Sequence, residues 1–162
     1  MNKNTEITDA LNTIPIDQLL KLDNQLCFAL YVCSKEIIKK YKPILDPLGL
    51  TYTSYITLLA LWEEDNINVK DLGKKLYLDS GTLTPILKKL EAVSLVHRKR
   101  SEADERNVYI SLTKEGKALK EKAATVPKEL ICSMASSDTT NNSNVDLLPT
   151  LHQLMDTLTC SK

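Results

Sequence analysis

A cysteine inside an apolar helical segment is the residue of this sequence best suited to reactive chemistry. Cys27 stands in the run LDNQLCFALY, between Leu26 and Phe28, and Tyr31 follows four residues later. Residues four apart share a helix face, so the Tyr31 hydroxyl could hydrogen-bond a thiolate at Cys27. A cysteine in such a run is more often a small core residue than a nucleophile, and the residues alone leave both interpretations open.

Three further cysteines and two histidines are spread along the chain. The other cysteines are Cys33, Cys132 and Cys160, and no two of the four form a C-x-x-C pair. We therefore expect no metal site and no cofactor. Cys33 lies six residues from Cys27, on another side of the helix, and is expected to be a packing residue. Cys160 stands near the C-terminus and is expected to have no role.

A second group of residues suits nucleic acid. Nine Lys and Arg residues and six acidic residues fall between positions 70 and 106, so this window carries +3 although the whole chain is neutral. Lysine on a helix surface is usually only solvated, and the charge alone decides little. The nine cations are Lys70, Lys74, Lys75, Lys88, Lys89, Arg98, Lys99, Arg100 and Arg106.

The hydrophobic pattern of the same window predicts two short helices and a hairpin. NVKDLGKKLYL turns Val69, Leu72 and Leu76 inward, and DSGTLTPILKKLEAVSL forms the second helix. The apolar stripe of that second helix is formed by Leu83, Ile86, Leu87, Leu90 and Val93. LVHRKR and NVYISL are typical of strands, joined by the polar turn SEADER. This order is that of a winged helix–turn–helix, whose second helix enters the major groove.

The polar side of the second helix and the hairpin tip carry groups that suit DNA. The helix carries small side chains near Gly81, where bases can approach the backbone closely. It is cationic further along, at Lys88 and Lys89, where phosphates can bind. The tip ends in Asp104-Glu105-Arg106, and an arginine held by a nearby carboxylate suits the minor groove. The hairpin therefore favours DNA binding over a merely solvated face.

Helical segments flank this window. Apolar residues recur at helical spacing from Pro15 to about Lys40, which predicts one long helix. A short helix or turn is expected next, because the segment is broken by Pro43, Pro47 and Gly49.

Two threonines are predicted to cap further helices. Thr51 precedes TYTSYITLLALWEED, and Thr113 precedes a long helix that reaches about Met134. After the low-complexity run SSDTTNNSN, a last helix, VDLLPTLHQLMDTLTC, is expected to be interrupted at Pro149.

The composition favours one helical domain. The chain has 162 residues, of which 43% are apolar and 26% charged, and this is ordinary for a globular protein. Its N-terminus is polar, and no run approaches the roughly 18 apolar residues of a membrane span. We expect a cytoplasmic protein without a membrane partner.

The runs LYLDSGTLTPILKKLE and LVHRKRSEADERNVYISLTKEG strongly resemble the MarR family of regulators. With LDNQLCFALY, the chain is similar to the organic-hydroperoxide-sensing repressors called OhrR, from about Leu22 to Pro127. The resemblance implies a homodimer that reads a pseudo-palindromic operator in double-stranded DNA. Ser80, Thr82 and Thr84 would approach bases and backbone. Asp104 and Arg106 match the wing motif, and the other predicted DNA-binding residues are Lys88, Lys89, Arg98 and Arg100.

The resemblance also implies a redox site. It makes Cys27 the peroxide-reactive cysteine and matches Tyr41 and Tyr52 to tyrosines that contact the thiol. Cys132 falls where two-cysteine members carry a resolving cysteine, which implies an intersubunit bond to Cys27. Tyr41 is 14 residues from Cys27, or about 21 Å along one helix, so it would have to reach the thiol of the partner subunit.

The predicted fold class is mainly α with a small β-hairpin. The predicted organisation has a flexible N-terminus at 1–14 and a single MarR-type domain at 15–160. Dimerisation helices are expected at 15–50 and 113–160, and the winged helix–turn–helix at 51–112, with its helix–turn–helix at about 69–93 and its wing at about 95–112.

The predicted function is a non-enzymatic DNA-binding repressor that leaves its operator when organic hydroperoxide oxidises Cys27. Two alternatives keep the DNA binding: a regulator released by a small aromatic ligand, and a global or virulence redox regulator of the same branch. A thiol peroxidase is the remote alternative. It is disfavoured because LDNQLCFALY supplies neither the threonine nor the arginine usual around such a cysteine.

Overall fold

The computed structural model describes residues 12–101, 107–134 and 143–159. The chain divides into two compact units, one ending at Val126 and the other beginning at Pro127. In the first unit the helices are α1 Ile16–Leu19, α2 Leu26–Leu45, α3 Tyr52–Glu63, α4 Val69–Leu76, α5 Ser80–Ala92 and α6 Lys114–Ala123. Its strands are β1 Ile67–Asn68, β2 Val96–Arg100 and β3 Val108–Leu112. Two helices follow α6 in the chain, α7 Val126–Met134 and α8 Ser143–Thr159.

The predicted helix–turn–helix and hairpin are confirmed. Helices α4 and α5 are followed by the antiparallel pair β2–β3, in which Val96 faces Leu112 and Arg98 faces Ile110. The sequence did not reveal β1, which completes the sheet in the order β1-β3-β2 by pairing Ile67 with Ile110. A strand of two residues leaves no alternating pattern to recognise.

The single helix predicted from Pro15 to Lys40 is wrong. The chain instead forms α1, a 3-10 turn at Leu22–Asn24, and α2. Side-chain amides interrupt the helix: Asn24 donates to the Gln18 carbonyl at 2.7 Å, and Gln25 donates to the Leu19 carbonyl at 2.6 Å. These bonds satisfy carbonyls at the end of α1 that a continuous helix would have used.

The predicted break at Pro43 is also wrong, since α2 continues through this residue to Leu45. The chain turns only after the 3-10 turn Asp46–Leu48, at Gly49, whose φ is +68°. Glycine suits this left-handed position because it has no Cβ. Thr51 then caps α3 as predicted, with its hydroxyl accepting from the Ser54 N–H at 3.2 Å.

The core of the first unit is built where the helices meet the sheet. It includes the fully buried side chains Leu45, Leu58, Leu61, Leu72, Leu83, Leu87, Leu90, Val96 and Ile110. Val93, predicted to complete the α5 stripe, is 60% exposed. The reason is that α5 ends at Ala92, and Val93 is already its non-helical cap.

The helix predicted from Thr113 to Met134 is divided, because α6 ends at Ala123 and α7 begins at Val126. The expected interruption at Pro149 is wrong, since α8 runs through that residue. Among the described residues no single helix is long and apolar enough to cross a membrane. The segments Leu26–Leu48 and Tyr52–Glu63 have enough length and apolar character only when taken together, and the chain bends by 72° between them.

Candidate nucleic-acid interface and thiol site

The start of α5 is fixed by its capping residue. Asp79 accepts from the Thr82 N–H at 2.9 Å and from the Thr82 hydroxyl at 2.8 Å. These two hydrogen bonds lower the pKa of Asp79, which therefore stays ionised near neutral pH. The Thr84 hydroxyl donates to the Ser80 carbonyl at 2.6 Å. Ser80 and Thr82 are exposed, and Thr84 is half-buried. The predicted hydroxyls thus lie together in the first turn and a half of the helix.

The cations predicted to contact DNA divide into two groups. Lys88, Lys89 and Arg100 are exposed, as phosphate contacts require. The Arg98 side chain is only 24% exposed and pairs with Glu91 of α5 at 3.5 Å, and its buried Nε has no partner among the described residues. Arg98 thus connects the wing to the recognition helix. Asp104 and Arg106 lie outside the described residues.

A junction that the sequence did not reveal holds the base of the wing. Asp65, just after α3, accepts from the Leu112 N–H at 2.8 Å and lies 3.0 Å from the Lys117 ammonium. Burial acts to raise the pKa of Asp65, but hydrogen bonds from Leu112, Lys117 and Asn66 outweigh it and lower this pKa. Trp62 of α3 donates to the Gly116 carbonyl at 2.9 Å. The end of α3 is therefore tied to both β3 and α6.

Cys27 is the second residue of α2, and its side chain is exposed. The first turn of a helix favours negative charge, because unpaired backbone N–H groups point toward it. The Cys27 side chain therefore lies at the end of α2 where backbone N–H groups are unpaired. Tyr31, one turn along, is 60% exposed, and the Lys35 ammonium lies 5.7 Å from its ring centroid.

Three tyrosines gather at the opposite end of α2. The ring centroid of Tyr41 lies 4.9 Å from that of Tyr52 and 5.9 Å from that of Tyr55. Burial, and then the neighbouring Tyr52 and Tyr55, raise the pKa of Tyr41; burial and Tyr52 raise that of Tyr55. Both hydroxyls therefore stay protonated and can donate. Tyr55, 2% exposed, was not predicted, although its spacing of three from Tyr52 is helical.

The structure brings Tyr41 and Tyr52 together but leaves Cys27 apart from them. Cys27 and Tyr41 lie on one unbroken helix, 14 residues apart, which is about 21 Å at 1.5 Å per residue. Cys132 is exposed on α7. Cys33, predicted to pack, is exposed in the single chain. Cys160 lies outside the described residues.

The arrangement of α4, α5 and the β2–β3 wing defines the class of the protein. A recognition helix with exposed hydroxyls and lysines, braced by α4 and flanked by a basic hairpin, is the winged helix–turn–helix of DNA-binding regulators.

Comparisons with known proteins agree with this class. The family model described as transcriptional regulator SarA/Rot matches residues 39–123, just over half of the chain. The chain is 56% identical to the organic hydroperoxide resistance transcriptional regulator of Bacillus subtilis over 69% of this chain and 76% of that protein. It is 50% identical to the HTH-type transcriptional regulator SarZ of Staphylococcus aureus over 75% of this chain and 85% of that protein.

Solved structures agree as well. The chain is similar to AbfR of Staphylococcus epidermidis at 33% identity, with a TM-score of 0.68, over 88% of this chain and 96% of AbfR. The chain is also similar to reduced AbfR bound to DNA, with a TM-score of 0.70 at 33% identity, over 87% of this chain and 96% of the AbfR chain. The chain therefore belongs to the SarA/Rot-type, MarR-like family of transcriptional regulators, within its OhrR-like branch.

Proposed function

We propose that this chain is a homodimeric repressor that leaves its operator when an organic hydroperoxide oxidises Cys27. The observation that carries the proposal is an exposed thiol in the first turn of a 20-residue helix, in a chain that also carries a DNA-reading wing. The Bacillus relative is named for organic hydroperoxide resistance, and AbfR has been solved reduced on DNA and in a disulfide form. We place the protein in the cytoplasm, as a regulator and not an enzyme.

The dimer assigned to this function uses the segments at 15–50 and 113–160, around the winged helix–turn–helix at 51–112. Apolar side chains are exposed on more than one side of α2 in the single chain. They support this assignment because a helix that is apolar all round is normally covered by other protein. They include Leu26, Tyr31, Val32, Ile37 and Ile38, which are 37–63% exposed.

The proposed reaction begins with the Cys27 thiolate. Its sulfur attacks the terminal oxygen of the hydroperoxide; the O–O bond breaks and an S–O bond forms. The thiolate is oxidised to a sulfenic acid, and the hydroperoxide is reduced and leaves, with a proton, as an alcohol. The thiol of Cys132 from the partner subunit then attacks the Cys27 sulfur. A disulfide forms and the sulfenic oxygen leaves as water.

Operator release is tested by titrating the reduced dimer onto its operator with and without cumene hydroperoxide. We expect oxidation to shift occupancy from about 99% to about 1%, which needs roughly 5.5 kcal/mol of differential stability between the two states. Cys27→Ser should bind as tightly as the reduced protein and ignore the oxidant. Cys33→Ser, an exposed cysteine of the same helix, should respond normally. If Cys27→Ser still releases DNA on oxidation, the thiol-sensor function is wrong, and release by an aromatic ligand without oxidant would favour that alternative.

The resolving role of Cys132 is tested separately by non-reducing electrophoresis. Wild-type protein treated with cumene hydroperoxide should migrate as a crosslinked dimer, because the proposed disulfide joins two subunits. Cys132→Ser should remain a monomer on the same gel and should accumulate the sulfenic acid at Cys27. A crosslinked dimer that persists in Cys132→Ser would remove Cys132 from the reaction.

A further inference from the structure

Tyr77 has an unusual backbone conformation for its residue type. It follows α4 with φ +54° and ψ 36°, in the left-handed region. Helices usually place glycine at this position, because a Cβ crowds the neighbouring carbonyl there. The other described non-glycine residues with positive φ are Asn66 and Ser94. Of the three, only asparagine belongs to the types that visit this region from time to time without glycine's freedom.

The backbone of this turn does not need the Tyr77 side chain. The Tyr77 N–H donates to the Lys74 carbonyl at 3.2 Å, and the Leu78 N–H donates to the Gly73 carbonyl at 2.9 Å. A glycine at position 77 would make the same bonds. Leu76 and Leu78 pack against the core, whereas the Tyr77 side chain is 62% exposed. The Tyr77 ring therefore contributes little to the stability of the fold, and its Cβ lowers that stability through backbone strain.

The position of Tyr77 explains what an exposed phenol could do. It lies in the turn between α4 and α5, two residues before Asp79, the cap of the recognition helix. When a recognition helix enters the major groove, this turn comes close to the sugar–phosphate backbone beside it. Tyrosine hydroxyls are among the usual donors to phosphate oxygens.

We propose that the Tyr77 hydroxyl donates a hydrogen bond to a DNA phosphate beside the groove that α5 enters. The proposal rests on the DNA-binding function above and adds a positioning contact that carries no charge. Such a contact strengthens operator and non-specific binding alike, because every duplex presents the same phosphate. It also releases no counterion and leaves the salt dependence of binding unchanged.

The test compares Tyr77→Phe with wild type by fluorescence anisotropy on two duplexes: an operator selected by wild-type protein from a random pool, and a scrambled duplex of equal length. We expect about tenfold weaker binding to both, from one lost hydrogen bond to a charged acceptor. The slope of log affinity against log salt should not change. Lys88→Ala is the matched control, since a lost phosphate-contacting charge should reduce that slope by about one.

Tyr77→Gly separates the DNA contact from folding. We expect it to weaken DNA binding like Tyr77→Phe while raising Tm by about 2–4 °C, because the strain is relieved. Ser94→Gly relieves the same strain at φ +59°, just past the far end of α5, and should raise Tm without weakening binding. Unchanged affinity of Tyr77→Phe, or a lower Tm of Tyr77→Gly, would overturn the proposal. If the wild-type protein selects no duplex from the pool, the proposed DNA-binding function is wrong, and the Tyr77 contact that rests on it is wrong as well.

Discussion

A mixed dimer that carries Cys27→Ser in one subunit, and Tyr41→Phe with Tyr52→Phe in the other, is expected to keep one fully reactive thiol. The tyrosine cluster and Cys27 occupy opposite ends of α2, 14 residues apart. Because about 21 Å of helix separates them, the tyrosines of one subunit can meet only the Cys27 of the other. The double tyrosine variant then supplies the thiol, and the Cys27→Ser subunit supplies the intact tyrosines.

The effect on rate should be large. In the proposed site, a homodimer with Tyr41→Phe and Tyr52→Phe would lose both tyrosine hydrogen bonds to the thiolate. Less of its Cys27 would be ionised, and the higher nucleophilicity of a less acidic thiol would offset part of that loss, so we expect oxidation about tenfold slower. The mixed dimer should instead react at the wild-type rate per remaining thiol. Two affinity tags isolate the mixed dimer, and a sulfenic-acid probe read by mass spectrometry follows Cys27. If the single Cys27 of the mixed dimer is oxidised as slowly as Cys27 in the double tyrosine homodimer, the tyrosines of the partner subunit do not contact it. A site shared between two subunits would then be wrong.

The DNA-reading half was predictable because its signals are local. The apolar stripe of α5 and the caps Thr51 and Thr113 each involve residues within a few turns of one another, and all are found as expected. The end of the stripe at Val93 was missed because helix termination depends on which groups satisfy the last carbonyls, and a hydrophobic pattern does not show this.

What could not be predicted depends on contacts distant in sequence. The bond from the Leu112 N–H to Asp65 spans 47 residues, and that from Trp62 to Gly116 spans 54. Neither residue type nor spacing reveals such a partner. The break before α2 was missed for a related reason, since Gln25 binds the Leu19 and Lys21 carbonyls through its side-chain amide. The apolar spacing around it remains helical in the sequence.

The residues of the thiol site stay a prediction, and one chain does not bring them together. The sequence indicated Cys27 and Tyr31, and the resemblance added Tyr41 and Tyr52. One chain brings together only the last two, with Tyr55 beside them. In the proposed homodimer the second subunit supplies the missing contacts, and contacts between subunits leave no spacing pattern within one sequence.

Gly116→Ala is expected to destabilise the protein by about 3 kcal/mol or more. Gly116 is buried in the first turn of α6, and a Cβ there would overlap the Leu95 carbonyl oxygen. That oxygen is backbone and already accepts from the Thr113 N–H at 3.1 Å, so it cannot rotate away as a side chain would. The Gly116 carbonyl also accepts from Trp62 at 2.9 Å, so any shift of α6 strains the contact with α3.

The same methyl group added elsewhere supplies the matched control. At Gly49 a Cβ meets nothing within 4 Å, and only its φ of +68° opposes alanine, so Gly49→Ala should cost about 1 kcal/mol. Chemical unfolding of both variants and wild type at one protein concentration measures the difference, since the stability of a dimer depends on concentration. Equal losses in the two variants would mean that the wing and α6 can separate at little cost. A much larger loss at Gly116 would show that the base of the wing and the first turn of α6 are packed too tightly to admit one methyl group.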